Sequence, residues 1–139
     1  MTGRPATPGI GRRLLSLVYE ALLLIAVVLL AGGVAAALTQ IVGTASARFL
    51  TQIIVAAACP SYFVWQWHRG GQTLPMKTWR MRLETADGTE VAVSRALLRA
   101  ALATMGYLLL GISVLWAFAD SDRQFLHDRL AGTRLVKTE

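Results

Sequence analysis

Three long apolar stretches, parted by segments that carry nearly all the charge, set the pattern of the chain. The first runs from Leu14 to Leu38, and its core from Ala21 to Leu38 holds 18 residues without a charge. Phe49 to Trp67 gives 19 and Ala100 to Ala119 gives 20. At ~1.5 Å per residue each can cover a hydrocarbon layer of ~30 Å as a helix. A cleavable leader is the rival reading of the first stretch, because Arg12 and Arg13 precede it and Ala35–Ala36–Ala37 is rich in small residues. The stretch is too long for that, since a leader's apolar region spans about 7–15 residues. Pro60 predicts a kink in the second stretch, and Trp65 and Trp67 mark its end as an interfacial belt. Arg99 stands just ahead of the third and can snorkel to the headgroups.

Between the second and third stretches the period changes. Trp79, Met81 and Leu83 alternate with Arg80, Arg82 and Glu84, which predicts a strand. Asp87–Gly88 is a hairpin turn, and Val91 and Val93 supply a short return strand. Residues 68–75 read as a turn-rich link into that hairpin. The expected architecture is therefore an all-α membrane protein. It has two transmembrane helices (14–38 and 49–67), a cytoplasmic loop with a small β-hairpin (68–95), a third hydrophobic segment (96–119) and a tail (120–139). Residues 1–11 are expected to be a flexible N-terminus, and the whole chain 1–139 a single membrane domain.

Composition narrows the class. Of 139 residues, 55% are apolar and 16% charged, against about 25% charged in a soluble domain. That argues against a soluble enzyme and excludes a disordered chain. A single cysteine, Cys59, forms no internal disulfide. The net charge of +6 admits nucleic acid or an anionic membrane surface as partner. No nucleic-acid-binding motif accompanies the charge, so the anionic inner leaflet is the expected partner. Arg4, Arg12 and Arg13 precede the first span, Arg48 alone separates first from second, and five basic residues from Arg69 to Arg95 separate second from third. The N-terminus and the long loop are thus cytoplasmic. With a full third span, four basic residues of the tail would lie outside. A re-entrant third segment, bent near Gly106 or Gly111, returns the tail to the cytoplasm. Length favours the span and charge favours the hairpin; the cytoplasmic tail is adopted.

The candidate chemistry starts at Glu20. A carboxylate in a span is costly and faces protein or water with a partner. Arg13, Ser16 and Glu20 share one helix face, so an Arg13–Glu20 pair or a shared water network is expected. His127–Asp128 is a poor acid/base dyad, since neighbours in sequence seldom face each other. Asp128 is expected to bind Arg12, Arg13 or the backbone amides of Ala131–Thr133. His68, Cys59 and His127 lack metal-ligand spacing, so no metal or other cofactor is expected.

Four motifs in order resemble the RDD family of small bacterial membrane proteins, named for one arginine and two aspartates. They are Arg12 to Glu20, Trp65 to Lys77, Arg95 to Arg99, and Arg123 to Thr133, the last similar to a closing Gln-x-x-His-Asp-x-x-Ala-Gly-Thr pattern. The resemblance places Arg13 or Arg12 at the family arginine, Glu20 at the first aspartate and Asp128 at the second. It departs in having Glu for that first Asp, and Pro75 where the family usually has Gly. A functional polar network of Arg12, Arg13, Ser16, Glu20, His127 and Asp128 follows. The resemblance implies a bacterial inner-membrane protein, multi-pass with its N-terminus cytoplasmic, and a transport-related role (ion/proton or small ligand). So few spans would need a homo-oligomer or another membrane protein. The alternative is an accessory or assembly protein docking on another membrane complex.

Overall fold

The computed structural model describes residues 6–138. Helix α1 spans Ile10–Val42 and α2 Thr44–Gly70, with only Gly43 between them. Both are long and apolar enough to cross a membrane. Gly43 turns the chain at φ +80°, so the expected loop between the spans shrinks to one residue. The burial pattern of α1 is inverted relative to a soluble helix. Arg13, Ser16, Glu20, Ala31 and Ala35 are buried, while Leu15, Val18, Leu22, Leu29, Leu30 and Ile41 are exposed. Apolar residues outside and polar ones inside suit a helix whose solvent is lipid.

A short helix α3 (Leu74–Thr78) and strand β1 (Met81–Thr85) follow, then α4 (Val93–Leu108), α5 (Ile112–Ala119), α6 (Leu126–Leu130) and β2 (Thr133–Lys137). The small antiparallel sheet pairs β1 with β2, from Met81 opposite Lys137 to Thr85 opposite Thr133. The expected local hairpin is therefore corrected. Gly88 does make its turn, its N–H donating to the Thr85 carbonyl at 2.9 Å, but Val93 already opens α4 and the partner strand is the tail. Five paired residues and the Glu84–Arg134 contact (Nη2 to Oε1, 2.7 Å) outweigh what two valines could offer.

The third hydrophobic segment is broken. Helices α4 and α5 meet at 95° across Leu109–Gly111, where Leu110 and Gly111 have φ of +56° and +72°. The returning arm packs onto the first at Gly106, where an added Cβ would fall 2.5 Å from the Ser113 Cβ. The segment therefore begins and ends at one end of the bundle. The start of α1 and the end of α2 lie there too. Lys137 N–H donates to the Ala6 carbonyl (2.9 Å), Leu83 N–H to Gly71 (2.6 Å), and Arg95 reaches the Gly132 carbonyl (3.2 Å).

Beneath that cap lies a core of Trp67, Met76, Met81, Leu83, Val91, Ala96 and Leu135. Trp67 is thus a buried core residue and not a belt residue; Trp65 is exposed. In the expected N-terminal segment 1–11, Pro8 is buried and α1 begins at Ile10, while residues 1–5 fall outside the described residues.

Candidate functional site

Helix α1 turns Arg13, Ser16 and Glu20 inward, at 1%, 5% and 7% exposure. The three do not form the expected ion pair. Arg13 Nη1 donates to the Arg123 carbonyl, and its Cζ lies 5.4 Å from the Phe125 ring centre. Its Nε and Nη2 meet no acceptor among the described residues. Glu20 instead accepts through Oε2 from the Thr73 hydroxyl at 2.7 Å, and its Oε1 has no partner there. The same Thr73 hydroxyl accepts from the Met76 N–H and caps α3, so the Gly-Gln-Thr-Leu motif delivers a hydrogen-bond donor to the span carboxylate. Ser16 sits between the two charges, and Arg12 is exposed, outside the network.

Asp128, fully buried, binds neither Arg12, Arg13 nor the amides of the Ala131–Thr133 turn. Its partner is Arg99, whose Nε and Nη2 both lie 2.8 Å from Oδ1. Arg99 is 6% exposed and stacks 4.2 Å over Trp67, so it does not snorkel. An arginine at the head of an apolar segment requires a partner once buried, and that was the available signal for this pair. Thr73, Ser113 and Trp67 gave none, since each reads as an ordinary loop, helix or interface residue.

His127 is held by α5. Its backbone N–H donates to Ser113 Oγ (3.1 Å), and that hydroxyl lies 2.6 Å from Nδ1. Burial pushes the imidazole down to about 4, with Asp128 opposing the shift, so it is neutral near pH 7. The hydroxyl then donates to Nδ1 and the ring proton sits on Nε2, facing Asp128 Oδ1 at 3.6 Å. Ser113, His127 and Asp128 make a line of contacts that resembles a hydrolytic triad. Ser113 is 1% exposed with its hydroxyl already engaged, however, so the line ties the returning arm to the tail. Further out, Arg129 forks onto Asp120 and also reaches Asp122 (2.7 Å).

Five of the groups at this end of the bundle line a cavity of about 1180 Å³ between α1, α2 and α4. Helix α2 packs against both of the others, and the space lies where α1 and α4 part. Arg13, Ser16, Glu20, Arg99 and His127 line one end, and Leu24, Val55, Ala56 and Leu108 line the walls. Among the described residues no group of three or more His, Cys, Asp or Glu could hold a metal ion.

The sequence pattern of the RDD family matches residues 7–132. The chain is also 32% identical over 90 residues to the uncharacterized protein RP437 of Rickettsia prowazekii (strain Madrid E). That match covers 65% of this chain and 49% of the relative, so the chain spans about half the relative's length. No solved structure matches. With the pattern covering nearly the whole chain and two helices long and apolar enough to cross a membrane, this protein is a membrane protein of the RDD family.

Proposed function

We propose that the protein is transport-related, binding its cargo in the cavity between α1, α2 and α4, with Glu20 as the titratable group. The observation that carries this reading is the Glu20 carboxylate. It is buried about 15 Å along α1 from Ile10 and lines the cavity, with Oε2 held by Thr73 and Oε1 making no full hydrogen bond, the Tyr62 hydroxyl being its polar neighbour. Leaving a carboxylate half-satisfied in a span is expensive, and a site that exchanges a proton for cargo needs that spare capacity. One chain of so few spans cannot enclose a pathway, and in this reading a second copy completes it. In this reading the capped end faces the cytoplasm of a bacterial inner membrane, where the basic residues of both termini and of the long loop meet anionic lipid.

Reconstitution of the full chain in liposomes holding a pH dye tests this. Under an imposed sodium or potassium gradient the native protein moves protons and Glu20→Gln does not, while the exposed Arg12→Gln behaves as native. Proton movement that survives Glu20→Gln contradicts the proposal.

A further inference from the structure

The charges on the cavity floor balance in number, Arg13 and Arg99 against Glu20 and Asp128, but are not all paired in contact. Arg99 spends both of its near nitrogens on Asp128 Oδ1, leaving Oδ2 without a hydrogen bond among the described residues, and His127 is neutral near pH 7. Glu20 lies two turns beyond Arg13 along α1, with Thr73 on one oxygen. Arg13 is left as a buried guanidinium, 1% exposed, with Nε and Nη2 unpartnered and no carboxylate within ion-pair distance among the described residues. Two free N–H groups on one planar fork suit an anionic oxygen pair. The walls beyond them are aliphatic, with Leu24, Val55, Ala56 and Leu108 along them, and the cavity is partly open to its surroundings.

We infer that the cavity takes an amphiphile with an anionic headgroup, its phosphate or carboxylate on Arg13 and its acyl chain along Leu24, Val55 and Leu108. This rests on the cavity being a binding site, and not on Glu20 exchanging protons. Arg13 lies at the capped end and Leu24 three turns deeper, which matches the polarity of a lipid entering head-outward. A free phosphate would satisfy the guanidinium equally but leave the aliphatic walls unused. The headgroup stops short of Glu20, whose charge would repel it, so the ester or hydroxyl region of the amphiphile faces that carboxyl.

Native mass spectrometry of the detergent-purified full chain tests the inference. It is titrated with phosphatidylglycerol, with diacylglycerol, which has the same acyl chains and no phosphate, and with inorganic phosphate. One phosphatidylglycerol per chain is expected, held about tenfold more tightly than diacylglycerol, as loss of a charge-assisted hydrogen bond would give. Arg13→Gln should abolish that preference and Arg13→Lys keep part of it. Ala56→Phe, which fills the wall and leaves the floor charges alone, should remove the bound lipid from a folded protein. Equal retention of both lipids by the native chain, with Ala56→Phe still releasing them, overturns the anionic headgroup but leaves a cavity that binds ligand. Retention unaffected by Ala56→Phe overturns both, because the lipid is then annular. Inorganic phosphate displacing phosphatidylglycerol at equal concentration would show a free-anion site and overturn the acyl chain's role.

Discussion

Single side chains at the floor carry unequal weight. Removing one partner of the Arg99–Asp128 pair strands a buried charge, so Arg99→Gln should cost about 3–5 kcal/mol. Arg12→Gln, exposed, should change stability by less than about 0.5 kcal/mol. Thermal unfolding in detergent separates the two, and equal effects would remove the pair from the account. His127 gives a pH signature. Its folded pKa of about 4 lies below the unfolded value near 6.5, so the unfolded chain binds the extra proton between those pH values. Stability should therefore fall as pH drops from about 6.5 to about 4, by on the order of 3 kcal/mol for this group. His127→Gln should flatten the curve in that window. A native curve already flat there would show that the imidazole is not buried neutral. Asp120 acts lower, since hydrogen bonds from Arg129 and the Gln124 amide outweigh burial and hold its carboxyl below the usual value.

At the level of elements, Gly71 carries a demand that other turn glycines do not. It ends α2 at φ +66°, and an added Cβ would strike the Leu83 carbonyl of β1. Gly88 has φ +83° but open space, with Arg134 Nη2 at 3.6 Å. Gly88→Ala should cost only the left-handed conformation, about 1 kcal/mol, and Gly71→Ala clearly more because β1 must shift. Equal losses in thermal unfolding would deny the close approach. The strand pairing has its own test. In a Cys59→Ser background, Arg82→Cys with Val136→Cys should oxidise to a disulfide, and Arg82→Cys with Val91→Cys should not. Strands and spans differed in legibility for a physical reason. The two long helices show in apolar run length, a local property, while the break in the third segment showed in the charges flanking it, with Gly111 one of the two glycines offered for the bend. The alternation at Trp79–Glu84 showed β1 but not its partner, because β2 pairs across 48 residues of sequence, from Thr85 to Thr133, and no local rule selects it over Val91–Val93. Glu20 was legible as an intramembrane acid, whereas its donor Thr73 arrives from another element.

For the molecule as a whole, the sheet and the Ala6–Lys137 contact tie both ends of the chain to one end of the bundle. Cysteines introduced at Glu90 and Lys137 should therefore share a side, protected from reagent outside the cell, while one at Thr44 is labelled. External labelling at Lys137 with Glu90 protected would require three full spans and dissolve the cap. The cavity depends on that cap, because Thr73 and Phe125 reach α1 only from the same end. The central claim is that Glu20 exchanges a proton for a cation. Proton release from full-length protein in weakly buffered detergent, on adding saturating sodium or potassium, tests it most directly. The native chain should release close to one proton per chain and Glu20→Gln none; equal release from both would contradict the account.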